Sequence, residues 1–189
     1  MLISIFANHI ILNVLQLHDK HFVPFINAAD IEAAVIRMAK QAEADLTGEV
    51  PVFVGVLNGA FMVLSDFAKH YTNPCEISFV KMASYEGTSS TGAIKQLIGL
   101  NQDLEGRSVV IVEDIVDTGN TIEELKKIFE AQKVKQLKIA TLFFKPEAYT
   151  KNIPLNYIGF EIPNKFIVGY GLDYDGLGRN LPEIYQLHQ

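Results

Sequence analysis

The sequence predicts an α/β protein whose mostly parallel central sheet is flanked by helices. Two observations carry this. Near-continuous apolar runs, of the kind found in strands buried on both faces, alternate with helical stripes through the middle of the chain. The residues suited to chemistry, at Asn58, Glu113–Thr121 and Lys145, fall at the ends of predicted strands. In a parallel sheet those strand ends share one edge, where ligands bind.

The 189 residues suit one domain, 1–189, with a sizeable core, and about half of them are apolar. The net charge of −6 disfavours nucleic acid or an anionic membrane as main partner, because both require a basic footprint. Cys75 is the single cysteine, so no intrachain disulfide forms, which suits a reducing cytoplasm. The N-terminus superficially resembles a signal peptide. However, no Lys or Arg precedes its apolar part, Asn8, His9 and Asn13 interrupt it, and no small-residue cleavage site follows. A first strand at Val14–Leu17 is the better reading, with Met1–Ile10 an extension.

Asn27–Leu46 carries Ile31, Ala34, Val35, Met38 and Ala42 at helical spacing, and Thr47-Gly48 ends the helix. Val52–Leu57 reads as a strand buried on both faces. Asn58-Gly59-Ala60 turns it into a helix over Phe61–Tyr71. Cys75–Ala83 is a strand. Ser84–Ala93, SYEGTSSTGA, is polar and rich in small residues, the composition of a mobile loop. A short strand at Gln96–Leu100 precedes the strand Val109–Glu113 and the helix Ile122–Ala131. Gln136–Phe144, Tyr157–Ile162 and Phe166–Val168 are the remaining strands, and the tail from Gly171 is rich in turns.

The stretch VVIVEDIVDTGNT, Val109–Thr121, holds the most chemistry. Backbone amides at a helix start, with the hydroxyls of Thr118 and Thr121, make a cradle for a phosphate. Gly119 lets the backbone approach closely. The spacing is neither that of a Walker loop nor G-x-G-x-x-G, so one terminal phosphate fits better than a triphosphate or dinucleotide. Thr121-Ile122-Glu123-Glu124 is also a capping box, which needs only to start a helix. Glu113 and Asp114 can accept hydrogen bonds from a vicinal diol or hold Mg²⁺. A diol beside a single phosphate is a ribose 5-phosphate.

VVIVEDIVDTGNT resembles the phosphoribosyl-pyrophosphate loop of the type I phosphoribosyltransferases. The resemblance extends to the hypoxanthine (hypoxanthine-guanine) phosphoribosyltransferases through Leu57-Asn58-Gly59, Ser84-Tyr85, Lys145 and GFEIPNKFIVGYGLDY at 159–174. It covers the chain from about Val14 to the end. It implies the type I fold, with a small hood formed by the N- and C-terminal segments. It also implies transfer of 5-phosphoribosyl from phosphoribosyl pyrophosphate to N9 of hypoxanthine, and of guanine, in purine salvage with Mg²⁺. Self-association as a homodimer or homotetramer is a further implication.

By the same resemblance, Asp117 is the general base or acid at purine N7. Lys145 donates to the 6-oxo group, Phe166 stacks on the base and Ile167 reads it through the backbone. Thr118, Gly119, Asn120 and Thr121 bind the 5′-phosphate, and Glu113 and Asp114 the ribose hydroxyls. Leu57, Asn58 and Gly59 form the pyrophosphate loop, where the family can carry a non-proline cis peptide. Arg179 binds pyrophosphate, and Ser84 and Tyr85 belong to a loop that closes over the site. Asp173 approaches Mg²⁺, and Glu113 and Asp114 can hold it too. Many relatives have Lys where this chain has Asn58, so the loop must bind pyrophosphate through backbone amides. A xanthine-preferring enzyme remains an alternative, as does, further off, a nucleotide-sensing regulator on the same fold.

Overall fold

The computed structural model describes residues 14–84, 94–98 and 102–188. Strands β1 (Leu15–Leu17) and β2 (Lys20–Ile26) lead into helix α1 (Ala28–Asp45). Next come β3 (Val52–Leu57), α2 (Phe61–His70), β4 (Glu76–Ser84), β5 (Ile94–Ile98) and β6 (Ser108–Val116). Helix α3 (Asn120–Ala131), β7 (Gln136–Phe144), β8 (Tyr157–Glu161), β9 (Ile167–Val168) and β10 (Ile184–Leu187) complete the chain. The central sheet runs β5-β4-β3-β6-β7-β8. Its strands pair in parallel except at the edge, where β5 lies antiparallel to β4. This is the predicted fold class.

Alternation along each strand divides the core between the sheet's two faces. Phe53, Val110 and Leu142 pack with Ile31, Val35 and Met38 of α1 and Phe67 of α2. Val54, Ile111 and Ile139 pack with Ile122, Leu125 and Phe129 of α3. β3 and the Val109–Val112 part of β6 are continuously apolar because both faces of the sheet centre are covered, whereas β4 leaves Ile77 and Phe79 exposed. Asn27 caps α1 by accepting from the Asp30 amide. No helix among the described residues is long and apolar enough to cross a membrane.

A second, antiparallel sheet, β1-β2-β10-β9, forms the hood from the two ends of the chain. It buries Leu17, Phe22 and Val168 between them. Neither β2 nor β10 follows from local sequence. Pro24 in KHFVPFI reads as a break, because proline has no N–H for a ladder. The strand survives because the β2–β10 register shifts between Ile184 and Tyr185, which are paired with Ile26 and Pro24. β10 is four residues long and pairs with a strand about 160 residues away, so no hairpin signal marks it.

Two boundaries near the strand ends also move. β6 runs on through Asp114, Ile115 and Val116 instead of ending at Glu113, and α3 starts at Asn120, not Ile122. β5 lies two residues before the predicted start at Gln96. Met1–Ile10, Tyr85 and the rest of the expected loop through Ala93 lie outside the described residues.

Candidate active site

The parallel register of β6 and β7 pairs Val116 with Phe144. The next residue on each strand is therefore Asp117 or Lys145, side by side at the carboxyl edge. The Lys145 amide donates to the Val116 carbonyl at 3.0 Å, and its Nζ donates to Asp117 Oδ2 at 3.0 Å. Lys145 is only 7% exposed, whereas the Asp117 side chain is 45% exposed. The lysine is thus held from below, and the carboxylate faces the open crevice. An ammonium has three donors, so the ion pair leaves Nζ able to donate to a second group.

Beyond Asp117 the chain turns through Gly119, which sits at φ +86° as the N-cap of α3. A Cβ there would collide with the Tyr149 ring and with Lys151. Those two residues wall the turn from behind, and no motif in the sequence marked them. Lys151 Nζ pairs with Glu123 at 3.0 Å. No side chain caps α3, so neither the expected capping box nor an Asp117 cap forms. The turn encloses a cavity of about 100 Å³, lined by Glu113, Asp117, Thr118, Gly119, Asn120 and Thr121 among others. That is well below the roughly 300–1,000 Å³ of a whole small-molecule site. Its size and its position at the N-terminus of α3 suit one anionic group.

Glu113 faces that cavity. Asp114, on the other side of β6, lies against Gly59, where a Cβ would overlap its carboxylate. The two carboxyls still interact. Burial, reinforced by the Asp114 charge, pushes the Glu113 carboxyl well above its ordinary range. Burial also raises Asp114, opposed by the Ile115 N–H donating to Oδ1 at 2.8 Å and by the nearby Arg179 charge.

A carboxyl whose pKa is raised on folding contributes stability below its unfolded value, about 4.3 for Glu. That contribution is lost as pH rises toward the raised folded value. Glu113→Gln should therefore melt higher than the wild type at pH 8 in the absence of substrates, with the gap narrowing toward pH 5. Thermal melts at the two pH values check this, and a lower melting temperature at pH 8 would contradict it.

The turn after β3 completes the floor of the crevice. The Leu57–Asn58 peptide is cis, as expected, and Asn58 is exposed. Gly171, at φ +100°, packs against the Gly59 carbonyl so closely that no Cβ fits. This close approach was not read from the sequence, although GYGLDY contains the glycine that permits it. Arg179 Nη1 donates to the Gly171 carbonyl at 2.6 Å, and Nη2 pairs with Asp173 Oδ1 at 2.6 Å. Asp173 Oδ2 accepts from the Gly176 amide at 2.7 Å. Lys81, the register partner of Leu57 on β4, stands on the strand beside the turn.

The hood supplies the remaining wall. Ile167 is buried in β9, whereas Phe166 just before it is 45% exposed. Ser84 closes β4, and Tyr85 lies outside the described residues. Asp117, Lys145, the phosphate-sized turn, the acids and the cis turn thus occupy neighbouring strand ends. Arg179 and Asp173 join them through Gly171.

A family model described as "Phosphoribosyl transferase domain" matches residues 26–175. The chain is 41% identical over 156 residues to the hypoxanthine-guanine phosphoribosyltransferase of Streptococcus pyogenes, covering 82% of this chain and 87% of the relative. The corresponding protein of Streptococcus agalactiae is 40% identical over the same length. Among solved structures, the hypoxanthine phosphoribosyltransferase of Staphylococcus aureus superimposes with a TM-score of 0.83 at 37% identity. That match covers 87% of this chain and 90% of the other. A hypoxanthine-guanine phosphoribosyltransferase of Bacillus anthracis gives 0.83 at 38% identity, covering 87% and 98%.

Proposed function

From the premise that this chain belongs to the phosphoribosyltransferase family, alongside the hypoxanthine-guanine enzymes, we infer the chemistry its residues perform. The protein is a purine-salvage transferase. It moves 5-phosphoribosyl from phosphoribosyl pyrophosphate to N9 of hypoxanthine, and of guanine, releasing pyrophosphate. The single observation that carries the base assignment is the Lys145–Asp117 pair at 3.0 Å beside the phosphate-sized turn. A 6-oxopurine presents N7 and O6 on one edge, and with the proton on N7 that edge offers a donor to the carboxylate and an acceptor to the ammonium.

The 5′-phosphate lies on the amides of Thr118–Thr121 at the start of α3, where the helix dipole favours an anion. Glu113 and Asp114 accept from the ribose hydroxyls. Pyrophosphate rests on the backbone of Leu57, Asn58 and Gly59, where Asn58 supplies no charge, and takes Arg179 as its cation. Phe166 stacks on the base and the Ile167 backbone reads its edge. Lys145 donates to O6, which excludes the 6-amino group of adenine, because an ammonium cannot accept a hydrogen bond. As N9 bonds to C1 of the ribose, the C1–oxygen bond to pyrophosphate breaks. The N7 proton passes to the Asp117 carboxylate. The same negative charge stabilises the oxocarbenium-like centre.

Asp173, Glu113 and Asp114 are all carboxylates, the hard oxygen donors that suit Mg²⁺ shared with substrate oxygens. In the structure Asp173 is held by Arg179 and the Gly176 amide. Magnesium held there would neutralise charge on the pyrophosphate leaving group. Closure of a loop carrying Ser84 and Tyr85 rests on the family resemblance alone. A single domain over residues 1–189, a homodimer or homotetramer and a cytoplasmic location complete the reading. The location is supported by a sequence with one cysteine. The names of the relatives favour hypoxanthine and guanine over xanthine.

Pyrophosphate release should require both phosphoribosyl pyrophosphate and hypoxanthine, stop in excess chelator and return on adding Mg²⁺. Full activity in chelator would remove the metal from the account. No release with hypoxanthine would remove the activity itself.

A further inference from the structure

Phe166 is 45% exposed on the site's hood wall, yet its ring is packed on two others. The buried Phe22 of β2 lies 6.2 Å away at 40°, and Tyr174 meets it edge-on at 5.9 Å and 87°. Tyr174 also packs on Phe22 at 6.3 Å, closing a triangle of rings. Tyr174 is in turn held from the β1–β2 turn. Its phenol donates to Asp19 Oδ1 at 2.7 Å, and Lys20 Nζ stands 4.4 Å from its ring centroid, in cation–π range. His18 adds an edge contact at 5.7 Å, and its Nε2 lies 3.2 Å from the Asp175 carbonyl. Three consecutive residues, His18 and Asp19 of the exposed turn and Lys20 at the start of β2, thus grip the segment that carries Tyr174. A stacking ring 45% exposed has little else to fix its tilt, since a phenylalanine χ2 well is broad.

We propose that Tyr174, latched by Asp19 in the β1–β2 turn, is the positioning residue for Phe166 and sets how tightly the purine ring is held. Tyr174 does not touch the base. Its edge blocks one direction of Phe166 rotation, and Phe22 blocks the other. Opening the latch lets the Phe166 ring swing, so the ordering that the scaffold now provides must be supplied when the base binds. The effect falls first on the base, because Phe166 is the ring Tyr174 packs on, whereas the 5′-phosphate turn follows β6 and the pyrophosphate turn follows β3. The inference rests on the reading that Phe166 stacks on the base.

Steady-state kinetics with the full chain test it through three variants. Tyr174→Leu removes the ring, Tyr174→Phe removes only the hydroxyl, and Asp19→Ala removes only the acceptor from an exposed turn. For Tyr174→Leu the KM for hypoxanthine should rise roughly three- to tenfold, the scale of one aromatic pair. Tyr174→Phe and Asp19→Ala should raise it less. In all three the KM for phosphoribosyl pyrophosphate and kcat should stay within about twofold. An unchanged hypoxanthine KM in Asp19→Ala and Tyr174→Phe, with wild-type turnover intact, overturns the inference alone, and these two variants decide it even if Tyr174→Leu fails to fold. Equal rises in both KM values overturn it as well, since they indicate general loosening. Absence of hypoxanthine turnover in the wild type overturns the reading beneath it.

Discussion

Asp117→Asn should lower turnover by roughly 10²–10⁴, the usual contribution of a general acid–base group, while the protein keeps its fold and its sugar-phosphate affinity. The side chain is 45% exposed and, among the described residues, makes a single ion pair, with Lys145. An asparagine carbonyl can still accept from that ammonium, so Lys145 is not left without a partner. Asp117 does not cap α3, whose N-cap is Gly119, so no capping energy is lost. On the mechanism proposed above, the substitution removes only the ability to take the N7 proton and the negative charge beside the reacting carbon. Calorimetric affinity for phosphoribosyl pyrophosphate should persist or tighten slightly, because one charge near an anion has gone. Near-wild-type turnover with a much lower melting temperature would show that Asp117 is structural.

Lys145→Met should weaken use of 6-oxopurines by roughly 10- to 150-fold, corresponding to a charged hydrogen bond of about 1.5–3 kcal/mol. Methionine fills much of the same buried volume, and the carboxylate left behind is exposed enough to be solvated. The protein should therefore remain folded. Binding of phosphoribosyl pyrophosphate should change little, because the 5′-phosphate turn and the pyrophosphate turn belong to β6 and β3. Titration calorimetry on the variant separates the two ligands. Sugar-phosphate affinity that fell as far as base use would move Lys145 out of the base site.

The centre of the sheet was legible because β3 and β6 are buried on both faces, and Val52–Leu57 and Val109–Val112 can be little else. The Asp117–Lys145 pairing was legible as two residues at strand ends, but not as a contact. Contact follows from parallel register, which brings together residues 28 positions apart. The hood was the least legible part. Pro24 hides β2, β10 is four residues long, and the Tyr174–Asp19 hydrogen bond joins residues 155 positions apart. Gly171 shows the same limit. Its need for a missing Cβ is visible only once the Gly59 carbonyl stands against it. The capping box misled in the opposite direction, since Thr121 sits inside a helix that starts a residue earlier and is capped by backbone alone.

If the Lys145–Asp117 pair selects a 6-oxopurine as acceptor, a single competition will show it. The wild-type protein is incubated with Mg²⁺, phosphoribosyl pyrophosphate and equimolar adenine, hypoxanthine, guanine and xanthine, and the nucleoside monophosphates are resolved by mass spectrometry. Inosine monophosphate, accompanied by guanosine monophosphate, should dominate, and adenosine monophosphate should be near background. Adenosine monophosphate formed at a rate comparable to inosine monophosphate would contradict the claim.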